Sequence, residues 1–211
     1  MTGQPAFGET QAMAISRDRY STVAIILHWM IALLILSNIG IAWYFNTLHG
    51  SAKIEPVQLH KSIGITVLML SALRIGWRLA VPAPKLPDYV TGWEKWLAQA
   101  VHVGFYVIMF GLPLSGWALS SASPLIHVFP IVLFHTIPWP AIGPLTTLPH
   151  DQMKQAHDTF TAAHHLLAKL TYGLVVLHVA GALKHQLISN DDVVARMIPF
   201  LPRRMPKETA Q

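Results

Sequence analysis

Four stretches of this sequence are each long and apolar enough to cross a bilayer as a helix: about residues 22–45, 59–80, 97–121 and 160–188. Some twenty apolar residues suffice at about 1.5 Å of rise each. Inside hydrocarbon the backbone has no water to bond, so it closes its own hydrogen bonds. The expected fold is all-α, an integral membrane four-helix bundle. Composition agrees, since only 12% of the 211 residues are charged, against about 25% in a soluble domain, and the mean hydropathy is +0.43. The first stretch outruns a signal-peptide core and lacks a small-residue cleavage site, so it reads as a retained span. The chain then divides into a tail over 1–21, a membrane domain over 22–188 and a second tail over 189–211.

Charge sets the expected orientation. Arg17 and Arg19 precede the first span, and Arg74, Arg78, Lys85 and Lys95 flank the second loop. Lys184, Arg196, Arg203, Arg204 and Lys207 follow the last span. The first loop offers Lys53 and Lys61, and the long outer loop over 122–159 only Lys154. By the positive-inside rule both termini and the second loop are cytoplasmic. A fifth span would put the basic C-terminus outside. The one further candidate, Ser123 to Leu145, carries Pro124, Pro130, Pro138, Pro140 and Pro144, which no regular helix accepts; it reads as a re-entrant or interfacial loop. Pro82, Pro84 and Pro87 punctuate the second loop, and Pro113 is expected to kink the third span.

No cysteine is present. That excludes disulfides, thiolate-held iron–sulfur clusters, zinc–cysteine sites and covalent c-type haem. The net charge of +5 is scattered over the spans' flanks, so a nucleic acid is no partner; membrane lipid is.

Twelve histidines are many for such a chain, and ionisable groups inside a membrane mark function by default. His164 and His178 are fourteen residues apart, about 21 Å along a helix and about 40° around it. They share one face at two depths, whereas His165 points elsewhere. His60, at the outer start of the second span, matches His164. His28, about two turns into the first span, matches His178. Two imidazoles at one depth on facing helices supply both axial ligands of a haem iron. The expected pairs are therefore His60 with His164 and His28 with His178. His102 lies at the inner depth as a competitor for the place of His28. Arg74, fourteen residues beyond His60, shares its face at the inner depth, and Arg78 follows one turn later; a haem propionate would suit both. Gly64 lets a flat macrocycle approach the backbone, and Lys61 suits an outer propionate. His49, His127, His135, His150 and His157 fall in outer loops and are expected to be solvated, as is His185 at the inner boundary.

Four motifs occur in order: "ILHWMIALLIL", "LHKSIGITVLMLSALRIGWRL" followed by "PAPKLP", "HVGFYVIMFGLPLSGW", and "HHLLAKLTYGLVVLHVAGALKH" followed by "RMIP". Together, over about Arg19 to Pro202, they resemble the bacterial cytochrome b561 family. The resemblance implies two non-covalent b haems with axial ligands at His28, His60, His164 and His178. It implies a multi-pass protein of the bacterial inner membrane that exchanges electrons with ubiquinone. Superoxide is then one outer donor and a periplasmic redox protein the other. Apart from the resemblance, the depth of His102 favours a supporting place near a propionate or quinone over a ligand's. A second reading keeps the haems in a membrane-anchoring cytochrome b subunit docked to a periplasmic dehydrogenase or hydrogenase. A third is a haem-free, histidine-lined metal transporter, which expects midplane carboxylates that the spans lack.

Overall fold

The computed structural model describes residues 20–82, 92–189 and 194–198. Arg17, Arg19, Pro84, Lys85, Pro87, Arg203, Arg204 and Lys207 lie outside these residues, as do the greater parts of both tails. Four long helices carry the fold, each long and apolar enough to cross a membrane. Helix α1 (Thr22–Asn46) starts at Ser21, whose hydroxyl oxygen accepts from the Ala24 amide. Gly50, at a φ of 60° that few other residues adopt, opens a 3-10 turn (Gly50–Lys53) leading into α2 (Ile54–Ala80). Helix α3 (Gly92–Ser121) runs on through Pro113. Helix α4 (His150–Lys184) continues into a π-helical turn over His185–Ser189.

Three helices begin well before the apolar stretches they contain. Hydropathy locates the part of a helix that meets hydrocarbon, whereas backbone bonding carries the helix past it. Because α4 starts at His150 rather than near Phe160, the α3–α4 loop, whose end of the bundle is called outer and the opposite end inner, covers residues 122–149 and not 122–159.

The outward surface is apolar, with Leu33, Leu36, Leu73, Val103, Val107 and Val176 all exposed. Among the described residues, the largest of the fully buried side chains are still small, and they are hydroxylated: Thr171, Ser62, Ser71 and Ser121. Three of them bond back to the preceding turn at 2.8 Å, Ser62 to the Gln58 carbonyl, Thr171 to Leu167 and Ser121 to Trp117. Small buried residues let membrane helices approach closely. The α3–α4 seam shows this best: a Cβ on Gly104 would lie 3.2 Å from the Leu174 methyls, and one on Gly111 would lie 3.4 Å from Leu167. Helices α1 and α4, by contrast, scarcely meet along their backbones. Side chains bridge that seam, including a Trp43 Nε1 to Tyr172 hydroxyl bond at 3.2 Å. Between the inner and outer ends, Ile31, Ile63, Val67 and Met109 form an apolar layer.

The proline-rich outer segment is a cap. Its short hairpin, β1 (Val132–Leu133) against β2 (Ile137–Pro138), turns through Phe134 and His135, both at positive φ. Each such residue costs about 1–3 kcal/mol unless its surroundings hold it. Here the Phe134 amide donates to Ser62 Oγ at 3.0 Å, Gln58 Nε2 to the Pro130 carbonyl at 2.8 Å, and the Ile142 amide to Ser121 Oγ at 3.0 Å. Beneath these bonds Ile126, Ile131 and Leu133 pack on Ile65 of α2, with Trp117 and Trp139 alongside. The cap therefore seals the outer end of the bundle on the α2–α3 side.

Candidate cofactor site

Two histidine pairs face each other at two levels. At the outer level the His60 (α2) and His164 (α4) ring centroids are 6.2 Å apart, with planes at 76°. At the inner level His28 (α1) and His178 (α4) are 6.1 Å apart, at 63°. Each pair has aromatic bracing: Phe45 lies 5.3 Å from His60, Trp29 5.5 Å from His28 and Phe105 5.2 Å from His178.

The outer rings are also fixed in protonation. His60 Nδ1 lies 3.3 Å from the Asn38 carbonyl oxygen. His164 Nδ1 lies 3.1 Å from the Leu112 carbonyl and 3.0 Å from Ser115 Oγ, and that hydroxyl itself donates to Leu112 at 2.8 Å. A carbonyl only accepts, so Nδ1 carries the proton on both rings and each Nε2 keeps its lone pair. This is how a metal-binding histidine is ordinarily oriented. Gly116 makes room for the ring, since a Cβ there would stand 3.1 Å from His164 Cε1.

His60 and His164 both line a cavity of roughly 520 Å³, within the range of about 300–1,000 Å³ usual for cofactor sites. Its lining includes Asn38, Gly64, Leu112, Gly116 and Ile131 of the cap, together with Lys53, Lys61, His157 and His165. Asn38 Oδ1 is buried there without a partner among the described residues.

A bis-histidine haem can be tested against this geometry. A metal–imidazole bond of about 2 Å on each side, plus roughly 1 Å from nitrogen to ring centre, puts two centroids about 6 Å apart. Both pairs meet that spacing, and the outer pair adds the protonation state and the cavity. The residues fit the group.

The remaining expected residues fall as follows. Gly64 lines the outer cavity, where a Cβ would meet only Asn38 Nδ2 at 3.9 Å. Lys61 is half-buried on the same wall. Arg74 and Arg78 converge on a narrow inner cleft with Tyr20, Ser21 and Met197, and neither pairs with a carboxylate among the described residues. His102 brings its ring to 5.9 Å from His178.

One expectation needs correction. His157 is not a solvated loop residue: it belongs to α4, lines the cavity and has Nδ1 2.9 Å from the Leu119 carbonyl. His165 is exposed, one position round α4 from His164 as the spacing predicts, and it still borders the cavity. Ser115, Asn38 and Gly116 escaped sequence reasoning, since small and amide residues in an apolar run carry no sign of what they face. Among the described residues, no three histidines or carboxylates converge on a bare metal ion.

Known proteins bear directly on this arrangement. The family model described as prokaryotic cytochrome b561 matches residues 19–200. The chain belongs to the prokaryotic cytochrome b561 family. It is 32% identical over 184 residues to cytochrome b561 homolog 2 of Escherichia coli (strain K12), covering 86% of this chain and 92% of that one. It is 30% identical over 187 residues to the probable superoxide oxidase CybB of Yersinia pestis, covering 86% and 96%. Cytochrome b561 homolog 1 of E. coli is 26% identical over 186 residues. Family membership makes the chain a multi-pass protein of the bacterial inner membrane that transfers electrons and carries b-type haem.

Proposed function

We propose that the protein is a transmembrane di-haem b-type cytochrome joining an outer electron donor to the ubiquinone pool. His60 and His164 hold the outer haem, and His28 and His178 hold the inner one. Lys61 faces an outer propionate, and Arg74 and Arg78 face inner ones. Both termini and the α2–α3 connection are cytoplasmic, so the cap is periplasmic. One observation carries the reading above the rest: two imidazole pairs at ligand spacing on two levels of one bundle. When bound, the two haems supply one-electron chemistry near each membrane face. The chain's own part is to fix the rings through Asn38, Leu112 and Ser115, to keep water out with the cap, and to set charge along the cavity.

The test is a reduced-minus-oxidised visible spectrum of the detergent-purified protein with haem stoichiometry. Two low-spin b haems per chain are expected; one haem would leave only one pair real, and none would overturn the reading.

Superoxide is the outer donor we favour. One electron leaves each of two superoxide anions, releasing two O₂; two electrons and two protons convert one quinone to quinol. A relative named as a probable superoxide oxidase supports this, as does a cavity lined by two lysines and, among the described residues, no carboxylate. Lys53 is one of the two, its Nζ 5.4 Å from the Phe45 ring centre. Focused positive charge raises on-rates for anions by about 10–10³ at low salt. Lys53→Glu should therefore lower kcat/KM for superoxide about tenfold at low ionic strength, with the deficit fading as salt rises. An unchanged rate at low salt would remove Lys53 from the approach path. The anchoring-subunit reading draws on the cap's exposed Leu125, Val128 and Phe129, which would suit a docked redox protein. Co-purification of such a subunit with the native protein would favour it.

A further inference from the structure

The two histidine levels are built differently. At the outer level both rings have a protein acceptor at Nδ1. At the inner level neither His28 nor His178 has a ring-nitrogen hydrogen bond among the described residues; what stands beside His178 is a second imidazole. The His102 centroid is 5.9 Å from that of His178 at 70°, against 6.1 Å for His28 on another helix. By spacing alone His102 would serve as an axial ligand equally well.

Packing separates the two. His102 reaches His178 across the α3–α4 seam, where Gly104, only two residues further along α3, already has the Leu174 side chain within 3.2 Å of where a Cβ would be. Helices α3 and α4 pack closely along their backbones, which leaves less room for a macrocycle there than between α1 and α4. The α1–α4 seam is the open one, and His28 lies across it. A ligated histidine needs a partner for its other nitrogen, and such partners are worth about 10–100-fold in metal affinity. We infer that His102 is the positioning residue for His178: its neutral imidazole accepts the His178 Nδ1 proton and so directs Nε2 across the seam toward His28. It does for the inner level what the Leu112 carbonyl and Ser115 do for His164. A small ring movement, from near-contact to a bonded distance, is all that this asks of the pair.

The inference rests on the di-haem reading, which the unaltered protein tests separately by binding two haems. Given two haems, His102→Ala should weaken inner-haem retention about 10–100-fold against a haem-scavenging apoprotein. It should also raise the inner haem's midpoint potential, because a ligand without its acceptor is less basic and favours the ferric iron less. The outer haem should be unmoved. His102→Asn, whose side-chain oxygen still accepts, should return the potential toward the original. The inner step is identified by repeating the titration in His60→Ala, which keeps that haem. An inner potential and ferric electron paramagnetic resonance signal unchanged in His102→Ala would overturn the assignment. So would failure of His102→Asn to restore them, which would mark His102 as packing only. Persistence of a low-spin inner haem in His28→Ala, lost again on adding His102→Ala, would make His102 a ligand and overturn it too.

Discussion

Substituting His164→Ala is expected to remove one of the two proposed haems and to leave the other. His164 is the most firmly placed ring in the bundle, with its Nδ1 between the Leu112 carbonyl and Ser115 Oγ and its face opposite His60. His157 and His165 share the cavity but lack the ring contact with His60 that His164 makes, so neither replaces it. The inner pair lies fourteen residues down α4, beyond the layer of Ile31, Ile63, Val67 and Met109. Haem per chain should fall by half, and one of two steps should vanish from a potentiometric titration. Helical circular dichroism and gel filtration in detergent show whether the variant is folded. Loss of both haems, or of neither, from folded protein would break the assignment of independent levels.

The second large effect comes from a residue that ligates nothing. A Cβ at Gly116 would lie 3.1 Å from His164 Cε1 and 3.4 Å from Nδ1, closer than most real contacts. Gly116→Val adds two methyl groups beyond that point, so the ring must turn and surrender its acceptors at Leu112 and Ser115. Outer-haem affinity should drop by about 10–100-fold, the cost of losing the groups that orient a ligand. Gly173→Ala is the control: nothing lies within 4 Å of its would-be Cβ, and alanine favours helix over glycine by about 1 kcal/mol. It should keep both haems. Full haem content in Gly116→Val would show that the ring has more freedom than its neighbours suggest.

Much of this was legible before any coordinates. The apolar runs gave four helices because a bilayer leaves the backbone few choices, and fourteen-residue spacing put His164 and His178 on one face. The same arithmetic on His60 and Arg74 placed each at its level. Less legible were features that depend on how one helix meets another. Nothing local distinguishes Gly116 from Gly173, yet one touches a histidine and the other touches nothing. His102 and His28 were rivals by depth, and only the closeness of α3 to α4 separates them. The cap is intermediate. Its prolines ruled out a span, but its hairpin rests on Ser62 and Gln58, some seventy residues earlier. Hydropathy does not reveal the place of His157, because the first turns of α4 lie beyond its most apolar part.

Helix α4 alone supplies a ring to both levels, so it acts as the molecule's ruler. Inserting one residue between Leu166 and Leu177 would swing one ring about 100° out of line, and no rotamer recovers that. Inserting seven would restore the facing within about 20° but lengthen the interval by about 10.5 Å, to more than the roughly 30 Å of a hydrocarbon core. Between those limits the helix has few other lengths to choose from. The separation of the two sites is thus a dimension borrowed from the lipid, and length changes in this family should collect in the loops and tails rather than between these two histidines.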